Sequence, residues 1–148
     1  MLGIYNGPLD VPGILKEWYE EEARSNYGAY IPFVGTVRDE EEIEGLSFDI
    51  YEPILYRWFY EWEERAKERG AKIKMAHSRG DVMLHQSSYI ACVFSPKRRV
   101  ALELIDLFVE DFKASAPIWK YDLKDGKRIY AKERSTAIKG SGLLGKQS

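Results

Sequence analysis

KIKMAHSRGDVMLHQSSYIACVFSPKRRVALELIDLFVEDF, residues 72–112, holds two hydrophobic periods back to back. From Lys72 to Ser78 the residues alternate, with Ile73, Met75 and His77 on one side, as in a strand. Gly80-Asp81 reads as a turn, and Val82 to Leu84 and Ser88 to Phe94 as further strands. Then the period changes. Ser95-Pro96 reads as a helix start, a capping hydroxyl before a proline. Val100, Ala101, Leu104, Leu107, Phe108 and Phe112 follow at helical spacing until Pro117 stops them.

The pattern extends both ways. Downstream, Ile118 to Leu123 and Arg128 to Glu133 read as strands joined at Lys124-Asp125-Gly126-Lys127, where the Asp-Gly pair favours a tight hairpin. Upstream, Pro53 opens a helix with an apolar stripe of Ile54, Leu55, Trp58, Phe59, Trp62 and Ala66, closed by Gly70. Leu46, Phe48 and Ile50 alternate with polar residues as a half-buried strand, after an acidic loop from Asp39 to Gly45 that is expected to be exposed. Ala29 to Arg38 reads as a strand in which Pro32 demands an edge or a bulge. Asp10 caps a helix with Pro12 in its first turn; Val11, Ile14, Leu15 and Trp18 face inward, and Glu17, Glu20, Glu21 and Glu22 face water. Leu2 to Tyr5 is one more strand. Three helices among about seven strands predict a single α+β domain, with the Gly-, Ser- and Lys-rich residues 139–148 as a flexible tail.

Composition excludes whole classes of protein. With 148 residues, 45% apolar and 31% charged, the chain is globular rather than disordered. No 18-residue apolar run exists, and Met1 to Asp10 lacks the pattern of a secretory signal, so a soluble cytoplasmic domain is expected. The single cysteine, Cys92, excludes an intrachain disulfide and a cysteine-cluster metal site, and its apolar strand reads as core rather than nucleophile. His77 and His85 lack metal-ligand spacing and a third partner, so neither a metal nor a cofactor is expected. The net charge of −2 hides a strong asymmetry: residues 1–64 carry −11 and residues 65–148 carry +9.

Three basic clusters stand out. Gly35-Thr36-Val37-Arg38-Asp39 puts a guanidinium where a strand runs into a loop. Ser95-Pro96-Lys97-Arg98-Arg99 places cations in a first helical turn, against the helix dipole, where exposed backbone N–H groups also attract anions. Pro117-Ile118-Trp119-Lys120, with Lys124, Lys127 and Arg128 on the hairpin, adds a lysine on a strand face. Each alone suits a solvated face; together they point to one site for an anionic ligand. A nucleic-acid-binding module built on the basic half is a competing reading, opposed by the acidic first half.

At these clusters the chain resembles the large, catalytic subunits of molybdopterin synthase. The matching stretches are Gly28-Ala29 through Phe33-Val34-Gly35-Thr36-Val37-Arg38-Asp39, the strand Leu46 to Tyr51, His77 to Gly80, Ser95 to Arg98, and Ala116-Pro117-Ile118-Trp119-Lys120 with its Asp-Gly hairpin. The family usually has His-Arg where this chain has Lys97-Arg98. The resemblance implies an α/β-hammerhead domain over residues 1–138 and a sulfurtransferase. Its substrate is cyclic pyranopterin monophosphate, and its sulfur comes from the C-terminal Gly-Gly thiocarboxylate of a small ubiquitin-like subunit. It also implies a homodimer of the large subunit, and neither nucleic acid nor membrane as partner. Residue by residue, it implies Lys120 and Lys127 as catalytic. It implies Thr36, Val37, Arg38, Lys97, Arg98 and Arg128 as substrate-binding, with Phe33 as an apolar wall. A non-catalytic scaffold for the ubiquitin-like partner would share the docking surface and differ only in turnover.

Overall fold

One long strand organises the molecule. The computed structural model describes residues 1–40 and 42–130. In chain order the elements are β1 (Leu2–Asn6), α1 (Val11–Glu22), β2 (Ala29–Thr36), β3 (Gly45–Ile50), α2 (Glu52–Lys67), β4 (Lys72–Met83), β5 (Ser87–Ser95), α3 (Arg98–Ser115), β6 (Ile118–Lys124) and β7 (Lys127–Tyr130). The expected α+β domain of three helices and seven strands is what forms. The strands lie in the order β2-β5-β4-β3-β6-β7, with β1 parallel to β4 and every other pair antiparallel.

β4 joins two half-sheets. Its Lys72–His77 stretch pairs with β5, and its Gly80–Met83 stretch pairs with β3. The two strands expected around Gly80-Asp81 are therefore one. Gly80, at φ +85°, bends the strand from one half-sheet into the other instead of reversing the chain. Reversal comes later, at Leu84–Gln86, where His85 takes φ +71°.

The first half-sheet is covered on both faces. α2 and α3 bury Leu55, Phe59, Trp62, Leu104 and Phe108 against Ile73, Met75, Tyr89, Ala91 and Val93. On the other face α1 lays Ile14 and Trp18 over Ala76, Ile90, Cys92 and Phe94. Double coverage explains why β5 is buried along its whole length and shows no alternation. It also overturns the expectation that Glu22 faces water: Glu22 is buried and pairs with Lys72 and Lys74 at 3.1 and 3.0 Å. Burial works against the Glu22 carboxylate, but hydrogen bonds from Lys74, Lys72 and Ser25 outweigh it and hold its pKa below the usual value.

Other local readings shift. α3 begins at Arg98 with Lys97 as its N-cap, and the Ser95 hydroxyl donates to the Lys97 carbonyl instead of capping a helix at Pro96. Leu107 is half exposed, outside the apolar stripe. Ile43 is buried within the acidic loop that was expected to be exposed. Pro32 sits on β2, an edge strand among the described residues, as the proline demanded, and the pairing with β5 shifts register at Gly35/Thr36 before its last pair, Thr36↔Ser87. Asp125 (φ +52°) and Gly126 (φ +70°) make the two-residue hairpin between β6 and β7. The remainder of the strand expected to reach Glu133, and the tail 139–148, lie outside the described residues.

Candidate functional site

The β6–β7 hairpin carries the third cationic cluster, and its register sets which side chains share a face. Opposite residues on paired strands point the same way, and residues two apart on one strand do also. β6 pairs with β3 as Ile118↔Ile50, Lys120↔Phe48 and Asp122↔Leu46. These six residues therefore share one face. On β7, Lys127 opposes Lys124 and Ile129 opposes Asp122, so Lys127 belongs to that face too.

The same face receives the chain leaving β2. Val37 is buried against Phe48 and Val82, with Leu46, Leu84 and Ile118 around them. Its backbone is pinned to the β4–β5 turn: the Val37 N–H donates to the Gln86 carbonyl (2.9 Å), and the His85 N–H donates to the Val37 carbonyl (2.7 Å). Arg38, the next residue, leaves the rim of the face that bears Lys120. It is mostly exposed and pairs with Glu40 at 2.9 Å. An exposed pair of this kind is worth at most about 1 kcal/mol, little enough for a phosphate to displace.

An aromatic floor connects these cations to Phe33. Phe48 meets His77 at 5.0 Å between ring centroids, His77 meets Tyr89 at 5.9 Å, and Tyr89 meets Phe33 at 5.9 Å. Phe112 from α3 stacks on Tyr89 at 4.1 Å. Phe33 itself is 41% exposed, so an apolar wall stands open at one end of the floor. His77 lies wholly inside it. Burial drives its pKa down to about 4, only partly offset by its hydrogen bond with the Ser78 carbonyl, so the imidazole is neutral near pH 7. Sequence reasoning placed His77 on one side of a strand with Ile73 and Met75 but did not see that it would meet Phe48, the register partner of Lys120. That follows from the bend at Gly80, which has no local signal.

The structure thus sets Lys120 and Lys127 on one face, starts Arg38 from Val37, a packing residue whose side chain is buried against Phe48 on that face, and links Phe33 to Phe48 only through Tyr89 and His77. Thr36 closes β2 just before Val37, exposed at the register shift. Arg128 lies elsewhere. It opposes Leu123, on the reverse face of the hairpin, pairs with Asp49 at 2.8 Å and lies over the Tyr121 ring at 4.0 Å. Lys97 and Arg98 are also apart within one chain. They open α3 just after Ser95, which opposes Ala29, whereas Thr36 opposes Ser87. Eight residue steps of β5 separate the two ends, about 26 Å. Arg38 and Arg98 therefore stand at opposite ends of the edge of the sheet.

Cys92 is fully buried, and burial pushes its thiol up to about 12, so it remains protonated. Among the described residues no group of three His, Cys, Asp or Glu side chains is placed to hold a metal, and no helix is long and apolar enough to cross a membrane.

An α+β domain with two lysines on one sheet face beside an aromatic cluster has the chemistry to attract an anionic ligand. By sequence the chain belongs to the MoaE protein family, whose pattern matches residues 5–115. It is 55% identical over 144 residues to the molybdopterin synthase catalytic subunit of Helicobacter pylori strain 26695, covering 97% of this chain and 99% of that one. The counterpart from Bacillus subtilis is 26% identical over 141 residues, 91% of this chain and 87% of that one. The fold superposes with a TM-score of 0.91 on a chain in the solved complex of subunits 1 and 2 of the molybdopterin-converting factor from H. pylori 26695 (55% identity, 97% of this chain and 98% of that one). It also matches molybdopterin synthase from Staphylococcus aureus at 0.74, where 21% identity over 86% of this chain and 94% of that one speaks for the fold alone. The resemblance read from the Gly-Thr-Val-Arg and Pro-Ile-Trp-Lys stretches is borne out.

Proposed function

We propose that this chain is the catalytic subunit of a molybdopterin synthase, working in the cytoplasm. It transfers two sulfurs from the C-terminal thiocarboxylate of a small ubiquitin-like partner to cyclic pyranopterin monophosphate. The observation that carries the reading is the shared face of Lys120, Lys127 and Phe48, on which Val37, the residue before Arg38, is packed. The substrate bears a phosphate, and sulfur attack generates further anionic character. Cations fixed on a rigid sheet stabilise that charge without reorganising. Arg38 suits the phosphate, since a guanidinium forks onto two oxygens. Lys120 and Lys127 suit the reacting carbons, where an ammonium can give and regain a proton as a group leaves. The sulfur is delivered from another chain, which accords with a lone cysteine locked in the core.

Arg98 and Lys97 enter through a second copy. Among the described residues β2 pairs with β5 alone, and the strand carries the half-exposed Phe33 and Val34. A two-fold axis across that edge sets two β2 strands antiparallel, so the Ala29 end of one meets the Thr36 end of the other. Gly28 is hydrogen-bonded to Ser95 at 3.0 Å, so Lys97 and Arg98 travel with the Ala29 end. Each dimer then holds two sites, each with Arg38 and Lys120 from one protomer and Arg98 from its partner.

Lys120→Ala is the test. Supplied with thiocarboxylated partner and precursor, the folded variant is expected to make less than about 1% of wild-type molybdopterin, the scale of loss for a positioned proton-transfer group. Near-normal product overturns the catalytic assignment. Tight partner binding without turnover in the unmodified protein favours a scaffold.

A further inference from the structure

A hollow of about 180 Å³ opens at the C-terminal end of α1, lined by Tyr19, Glu22, Tyr27, Gly28, Tyr30 and Phe94 among others. It lies on the α1 side of the first half-sheet, where Tyr27, Tyr30 and Phe94 pack, whereas His77 packs with Tyr89 and Phe112 on the other side. Four aromatic rings meet in series around it. Tyr19 meets Tyr30 edge-on at 5.4 Å, Tyr30 meets Phe94 at 4.7 Å, and Phe94 meets Tyr27 at 5.9 Å. Phe94 is fully buried at the base, Tyr27 and Tyr30 are half-buried, and Tyr19 is 58% exposed at the mouth. The local sequence sets this up. The β2–β5 register puts Tyr30 opposite Phe94, so the two rings share a face. Asn26, at φ +61°, turns the chain between Tyr19 on α1 and Tyr27.

Three features of the hollow favour a cation. The faces of aromatic rings carry negative potential. The last turn of α1, Tyr19–Glu22, is the negative end of the helix dipole and holds three glutamates and no basic side chain. The Glu22 carboxylate stays ionised, held by hydrogen bonds below its usual pKa. The fold already sets one ammonium against these rings: Lys74, buried and paired with Glu21 and Glu22, lies 5.6 Å from the Phe94 centroid. Lys72, which bonds both Glu22 oxygens at 3.1 Å, is 46% exposed and can yield its place to another cation. The hollow is smaller than the roughly 300 Å³ that a drug-sized ligand takes, so it suits a head group. A neighbouring cleft of about 430 Å³ shares the Tyr27 wall and runs on past Lys72 to Tyr60 and Lys67, with room for a chain attached to that head. We propose that this hollow binds an organic cation, an ammonium head carried on a carbon chain, between the four rings and the Glu22 carboxylate. A methylated ammonium suits it best, because the rings contact its charge and its apolar surface together. The site is separate from the face of Lys120 and does not depend on the sulfur-transfer reading.

The test titrates the full chain with choline and with its neutral isostere, in which carbon replaces the quaternary nitrogen, and follows backbone amide NMR shifts. We expect saturable shifts centred on Ala23, Gly28 and Ala29, with choline bound at least about tenfold more tightly than the isostere. Tyr19→Ala should weaken choline about fivefold or more, while Tyr19→Phe, which keeps a ring, stays within about twofold of wild type. Tyr19 is exposed, so both variants should unfold at the wild-type temperature. A Gly-Lys-Gly peptide run alongside identifies the source of the head. Binding tighter than choline marks a lysine side chain of a protein, weaker binding marks a free quaternary ammonium, and both uphold the cation site. Equal binding of choline and its isostere overturns the proposal, because the hollow is then only apolar. So do choline shifts that fail to saturate by about 100 mM, or that are unchanged in Tyr19→Ala.

Discussion

His77 makes acid a specific threat to this fold. Its ring is sealed between Phe48, Tyr89 and Phe112, and burial lowers its pKa from the ordinary 6.5 to about 4. Unfolded, the same imidazole titrates at its ordinary value. Between those two values the unfolded chain binds a proton that the folded chain refuses. The stability tied to a neutral His77 is therefore complete above about pH 6.5 and is lost as the pH falls toward 4, with no further loss below. A shift of this size corresponds to about 3 kcal/mol, a large part of a typical domain's stability. The perturbation is His77→Phe, which fills the aromatic floor and cannot titrate. It forfeits the 2.8 Å hydrogen bond with the Ser78 carbonyl, a constant cost of about 1 kcal/mol at every pH. Urea unfolding at steps from pH 7.5 to 4.5 reads the difference. With a slope near 1.5–2 kcal/mol per molar urea, wild type should lose about 1–2 M more of midpoint across that range than the variant. Glu22 and other carboxylates titrate in both proteins and cancel. Parallel curves for the two proteins would refute the account.

Two further outcomes test the packing and the assembly. The Asp111 carboxylate accepts from the indole N–H groups of Trp58 (2.9 Å) and Trp62 (2.7 Å) and from the Ser115 hydroxyl (2.9 Å), tying α2 to α3. Asp111→Ala strands those donors and should cost about 2–4 kcal/mol in urea unfolding, whereas a loss under about 0.5 kcal/mol contradicts the tie. In the shared-site dimer, Arg38→Ala and Arg98→Ala should each be nearly inactive alone. Mixed after unfolding and refolding, they should recover about a quarter of wild-type turnover, since half the dimers are then mixed and each of those keeps one intact site. No recovery on mixing overturns the two-fold arrangement along β2.

The identity of the elements was legible because it depends on short-range physics. Asp125-Gly126 specifies a turn of its own hand whatever surrounds it. The stripes from Leu55 to Ala66 and from Ala101 to Phe108 name their helices by period. Pro32 announces an edge because a missing donor cannot sit between two strands. Local signals misled where burial overrode them. Gly80-Asp81 has the composition of a turn, yet pairing on both sides of it keeps β4 running. Glu22 has the composition of a solvated face, yet Lys72 and Lys74, some fifty residues on, draw it inward.

The candidate site divides along the same line. Sequence alone determined that cations gather at Arg38, Arg98 and Lys120, that the one thiol belongs to the core, and, through two short motifs, which family the chain joins. Only the tertiary structure decided which cations share a face. Strand register turned Arg128 away from Lys120, set Phe48 opposite it and left Arg98 at the far end of β5. The reason is that a strand's register shifts by single residues, and each shift exchanges one face for the other. Residue types along a chain record what chemistry is available, while the pairing of distant strands determines which of it can meet.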